Sequence, residues 1–135
     1  MKTLFLFLLL CCSTLLLAQH KKSTTVVKED TTVYTVVDKM PEFPGGSEAM
    51  MQFISKNIKF PSIYNEAEIQ GRVMIKCIVE KDGSLSTIIV ARGIDHPLDM
   101  EAVRVVSIMP KWIPGELKGK KVRVQVVIPL NFKLQ

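Results

Sequence analysis

Apolar and polar positions alternate most regularly at the end of the chain. Val122, Val124, Val126, Ile128, Leu130, Phe132 and Leu134 share one parity, while Arg123, Gln125, Val127, Pro129, Asn131 and Lys133 share the other. Successive strand side chains point to opposite faces, so this parity predicts a long strand with one buried face. Pro129 has no N–H to donate, which places one side of the strand at a sheet edge. A second alternation runs from Ile69 to Arg92. Val73, Ile75, Cys77 and Val79 fall opposite Arg72, Lys76 and Glu80, and Asp82-Gly83 gives a two-residue hairpin signal. The returning strand is less regular: Leu85, Ile88, Ile89 and Val90 do not alternate, which predicts a bulge or burial on both faces.

Helical spacing appears twice. Met50, Phe53, Ile54 and Ile58 form one apolar stripe, entered after the helix-breaking run Pro41 to Gly46, with Ser47 as the expected N-cap and Phe60-Pro61 as the stop. Ala102, Val105, Val106 and Met109 form the other stripe, with Pro97 in the first turn and Pro110 at the end. Thr31 to Val37 is β-branched and aromatic, which suits an extra short strand at a sheet edge. A helix between the second and third strands returns the chain so that the third lies beside the first. The expected fold class is therefore α+β: a three-stranded antiparallel sheet, order 2-1-3, with two helices on one face.

Three segments follow along the chain: a signal peptide at 1–18, a flexible leader at 19–32 and one domain at 33–135. Met1 to Ala18 carries Lys2 and then an unbroken apolar run, shorter than the roughly 20 residues that a membrane span needs. Cleavage is expected after Ala18. A retained anchor and a lipoprotein are the other two readings, and Leu10 before Cys11 suits the second poorly. The leader is polar and without period. Removing the signal leaves Cys77 without a disulfide partner and a net charge of +4, from 17 Lys+Arg and 13 Asp+Glu. That mild excess in an exported chain argues against nucleic acid. It suits an anionic envelope surface or an acidic partner. No catalytic triad, Cys–His pair or metal-ligand spacing is present, and Asp95 and Asp99 read as helix-start residues, so neither an enzyme nor a cofactor is expected.

Met40 to Gly46 (MPEFPGG), Phe60-Pro61, Gln70 to Val73, Asp82-Gly83, Leu98 to Val106, Met109 to Gly115 and Ile128 to Phe132 (IPLNF) follow one another in an order that resembles the C-terminal domain of TonB. The form is that common among Bacteroidota, and the resemblance covers about Val33 to Leu134. It implies a periplasmic module that grips the TonB box, an extended segment of a TonB-dependent outer-membrane receptor, and passes on force from an inner-membrane motor. By the same resemblance the contacts would fall on the edge of the last strand, at Arg123, Gln125 and Val127, and on Asn57 and Lys59. The long Pro-rich spacer of a full transducer is missing before Pro41, and no Ser and His share a helical face in the apolar segment. A membrane association is expected only if that segment is retained. The alternative function is a structural or regulatory envelope protein that self-associates, as a homodimer, through the same strand edge.

Overall fold

The computed structural model describes residues 30–64 and 70–133. The signal reading, most of the leader, the crossing near Ala67, Ile69 and Leu134 lie outside the described residues.

The last strand is β5 (Lys120–Lys133), and its parity is the expected one. Val124, Ile128, Leu130 and Phe132 are at most 1% exposed, while Val127 on the other face is 49% exposed. β5 runs antiparallel to β2 (Gln70–Val79), from Gln70 opposite Lys133 to Val79 opposite Val124. That register sets Val73 against Leu130, Ile75 against Ile128 and Cys77 against Val126 on the inner face. Such cross-strand apolar pairs are the unit of sheet stabilisation.

β3 (Leu85–Arg92) pairs with the other side of β2 through two register shifts. Lys76 faces Ile89 but Ile78 faces Ser86, so Thr87 and Ile88 together oppose Cys77. Thr87 takes φ 51° at this bulge. The extra residue explains the irregular sequence pattern: Leu85, Ile88 and Val90 all pack on the core, and Ile89 points outward. The turn before β3 differs from the two-residue expectation. The Glu80 N–H donates to the Ser84 carbonyl at 2.8 Å, so the loop is Lys81-Asp82-Gly83, with Gly83 left-handed at φ 88°. A three-residue hairpin loop closes in this way, with glycine at the left-handed position.

The three-stranded antiparallel sheet must be corrected to five strands in a mixed sheet. β1 (Val33–Tyr34) lies parallel to β5, with Val33 opposite Arg123. β4 (Gly115–Leu117) forms a hairpin with the start of β5 through Lys118 and Gly119, both at positive φ (51° and 76°). The order is β1-β5-β2-β3, with β4 on β5. Two further bridges, Lys39 with Glu116 and Glu42 with Ile113, carry residues 39–42 antiparallel to the approach to β4.

α1 (Gly46–Asn57) and α2 (His96–Ser107) both place their buried residues in the cluster on the inner face of the sheet. α2 packs on β2 and β3 through Leu98, Ala102, Val105 and Val106, each 0% exposed. Asp95 caps it by accepting the Leu98 N–H at 3.1 Å, and Asp99 accepts the Ile94 N–H at 2.8 Å, so both carboxylates organise the helix start. The expectation for α1 fails at its N-cap. That position is Gly45, at φ 87°, with no side-chain cap, and Ser47 already lies inside the helix. The preceding Pro44 and the left-handed glycine let the chain turn sharply enough to bury Phe43.

Candidate docking groove along the last strand

β5 has β2 along one side for most of its length. On the other side, β1 pairs only as far as Val124 and β4 only as far as Val122. Among the described residues, no strand covers that side of β5 from Gln125 to Lys133. The edge therefore presents unpaired N–H and C=O groups. Pro129 fits this arrangement, because its missing N–H costs nothing when it faces the open side. By ladder alternation the N–H groups of Gln125 and Val127 then face outward as well.

Beside this edge lies a hollow of about 380 Å³, with Gln125 to Ile128 along one wall. The bridge between Glu42 and Ile113 holds Met40 and Pro41 along the opposite wall, and Met50 projects from α1. Phe43 and Trp112 line it as well, with Glu42 and Ser47 as its polar residues beside Gln125. Phe43 sits between Phe53, 5.7 Å away centre to centre, and Trp112, 5.9 Å away edge-on. The Trp112 indole N–H is buried without a hydrogen-bond partner among the described residues, so packing alone holds the ring. The hollow is apolar along most of its lining. Its volume is near the low end for ligand sites, about 300–1,000 Å³. It has room for a few side chains.

The structure separates the five residues that the resemblance singled out. Gln125 and Val127 line the groove. Arg123 lies just before it and is already engaged: its guanidinium donates to both carboxylate oxygens of Glu80, at 2.7 and 2.9 Å, and to the Thr31 carbonyl at 2.7 Å. That pairing, with a hydrogen bond from Ser86, holds the Glu80 carboxyl below its usual range. Asn57 and Lys59 stand elsewhere. Asn57 donates to its own helix at Phe53, its carbonyl accepts from Arg104 at 2.7 Å, and the Lys59 N–H donates to Glu101 at 2.8 Å. The adjacent Phe60 rests edge-on against Phe132, near the far end of β5. At about 3.3 Å per residue, that end lies roughly 30 Å along the strand from Arg123. Only a long extended segment could reach both.

Met40, Phe43, Met50 and Trp112 are the wall residues that sequence reasoning did not place at a site. The motif that carries two of them, Met40 to Gly46, was the available signal.

The described residues thus form an α+β module with a bare strand edge beside an apolar groove. The chain belongs to the TonB C-terminal family: the family described as Gram-negative bacterial TonB protein C-terminal matches residues 56–134. Its fold is similar to solution structures of the Helicobacter pylori TonB C-terminal domain. Residues 194–285 of that protein match with a TM-score of 0.50 at 20% identity, covering 65% of this chain and 92% of that one. A longer form, residues 179–285, matches with a TM-score of 0.48 at 21% identity, covering 65% and 80%. No curated protein sequence matches the chain.

Proposed function

We propose that this domain works in the periplasm as a docking module for an extended segment of TonB-dependent outer-membrane receptors. The segment adds to the sheet along Gln125 to Ile128 and sets apolar side chains into the adjoining groove. One observation carries the reading: the uncovered stretch of β5 and the groove walled by Met40, Phe43, Met50 and Trp112 adjoin each other. Strand addition draws affinity from backbone hydrogen bonds and specificity from side-chain pockets. About five such bonds, at roughly 0.5–1.5 kcal/mol net each, barely offset an association cost of about 4–15 kcal/mol. The groove must then select the partner, at about 1.5–3 kcal/mol for each apolar side chain fully buried. This moves the emphasis from an acidic partner at Arg123, whose charge Glu80 already meets, to an apolar one at the groove.

The test is calorimetric titration of receptor TonB-box peptides against wild type and Gln125→Pro. Wild type is expected to bind, and the proline variant, still folded, to lose binding because it removes an outward N–H. Equal affinity in the two proteins would refute the edge-strand site. Concentration-dependent dimers that persist without peptide, and vanish in Gln125→Pro, would favour self-association instead.

A further inference from the structure

The second face of the sheet has no helix on it among the described residues, and its charge is lopsided. Arg72, Lys76, Arg92, Lys121, Arg123 and Lys133 alternate with the buried positions and so project from this face. Glu80 stands beside Arg123, and Glu116 lies opposite Lys121 across the β4–β5 ladder. Arg123 and Lys121 thus each face a carboxylate, while Arg72, Lys76, Arg92 and Lys133 add four cations with none opposite them in the sheet. Arg123 neutralises Glu80, and no carboxylate pairs with Arg72, Lys76 or Arg92 among the described residues. Apolar side chains stand between these cations. Lys76 has Val127, 49% exposed, on one flank and Ile89, 46% exposed, on the other. Ile78 and Met74, partly exposed, sit next along the same strand. Arg72 and Arg92 open on one shallow hollow of about 600 Å³ that also holds Met74, Gly93 and Ile94. The Arg72 side chain is steadied there, because its Nε–H donates to Asn131 at 2.8 Å.

We infer that this face docks on an anionic phospholipid surface, with Arg72 and Arg92 taking headgroup phosphate and Lys76 adding to the attraction. Charge complementarity selects the occupant. A second copy of the chain would set these cations against their equals, and a purely polar anion would leave Ile89 and Met74 unused. A bilayer surface layers phosphate over hydrocarbon, which matches long cationic side chains rising around shorter apolar ones. It also needs no fixed partner register, which suits cations spread over three strands. The family is one of envelope-associated proteins. The cations that carry this inference, Arg72, Lys76 and Arg92, line none of the docking groove; Val127 is the residue that the two surfaces share.

Each cation near an anionic membrane strengthens partitioning about fivefold. The protein recovered after expression of the full chain is sedimented with phosphatidylcholine vesicles, with and without phosphatidylglycerol, at low and high salt. The readout is the ratio of the two affinities, which an apolar N-terminal segment would not raise. Wild type is expected to favour the anionic vesicles, and salt to abolish the preference. The triple variant Arg72→Glu, Lys76→Glu, Arg92→Glu should lower the ratio on the order of a hundredfold. A matched triple elsewhere, Lys39→Glu, Lys56→Glu, Lys111→Glu, should change it only about twofold through loss of net charge. Glutamine at Arg72 and Arg92 serves as the second variant should the reversal fail to fold, and is expected to lower the ratio as well. No preference for anionic vesicles, or equal losses in the two triples, overturns the inference. So does capture by soluble polyglutamate without vesicle binding, which would make the partner an acidic protein.

Discussion

The carbonyl oxygen of Trp112 stands 2.0 Å from where a Cβ on Gly83 would lie, and the main-chain N–H of Trp112 donates to the Gly83 carbonyl at 2.8 Å. The hairpin tip is thus clamped to the segment that carries the groove's tryptophan. Gly83→Ala must both strain a backbone at φ 88° and displace a main-chain oxygen. A loss of about 3 kcal/mol or more is expected in urea unfolding. Gly119→Ala is the comparison. Its φ is 76°, but nothing lies within 4 Å of the added atom, so only the conformational cost of about 1–2 kcal/mol remains. Equal losses at the two sites would mean that the clamp to Trp112 contributes nothing.

Cys77 is 0% exposed at the centre of the inner face, and burial pushes its thiol up to about 11. The thiolate is the reactive form, so both access and ionisation are withheld. Iodoacetamide at mildly alkaline pH should leave the folded protein unmodified and label it fully in urea. Rapid labelling of the native state would show that the core opens near β2.

Thr87 is β-branched, exposed and held at φ 51° in the β3 bulge. Left-handed backbone costs such a residue roughly 1–2 kcal/mol, whereas asparagine tolerates it. Thr87→Asn is therefore expected to raise stability by about 1 kcal/mol, read as a higher urea midpoint with an unchanged slope. A lowered midpoint would mean that the threonine side chain makes a contribution larger than its strain.

Particular residues show what the sequence reveals and what it conceals. The parity of β5 is legible because one core face imposes a period of two on Val122 through Phe132. The start of α2 is legible because Asp95 and Pro97 act within their own turn. The bulge at Thr87 leaves a broken alternation, so its presence can be read but not its register. β1 is legible only as the β-branched run Thr31 to Val37, without its length or its parallel pairing of Val33 with Arg123, and β4 leaves almost no trace, since a strand of three residues carries no period. The groove is hidden for a related reason. An apolar residue such as Met50 reads the same whether it fills a core or lines a hollow. The commitment of Arg123 to Glu80 follows from the β2–β5 register, which no local pattern fixes.

That ion pair gives a pH dependence. The Arg123 guanidinium holds the Glu80 carboxyl below its ordinary 4.5, so the folded state favours the charged form more than the unfolded chain does. Its contribution is present above the ordinary value and is lost as pH falls through the folded one. Glu80→Gln should cost on the order of 1 kcal/mol at neutral pH, as for a partly exposed pair. The gap to wild type should narrow as pH drops below 4.5. A gap that stays constant into acid would mean that the carboxylate's charge is not what stabilises the pair.

The last expectation concerns how the groove would choose its occupant. Met50 and Met51 are neighbours on α1, yet Met50 lines the groove and Met51 is 60% exposed away from it. Met40, 46% exposed, lines the opposite wall from the loop. If partner side chains bury there, Met40→Glu places a carboxylate against them without opening the core. Binding of a receptor peptide should fall at least tenfold, about 1.4 kcal/mol, with the melting temperature nearly unchanged. Met51→Glu adds the same charge outside the groove and should leave affinity within about twofold, since it removes no contact there. Peptides with alanine at their apolar positions should bind wild type weakly and respond little to Met40→Glu. Such peptides have already lost the contact that the carboxylate disrupts. If Met40→Glu and Met51→Glu weaken binding equally, charge rather than the groove governs it, and selection by apolar side chains is wrong even where the β5 edge still pairs.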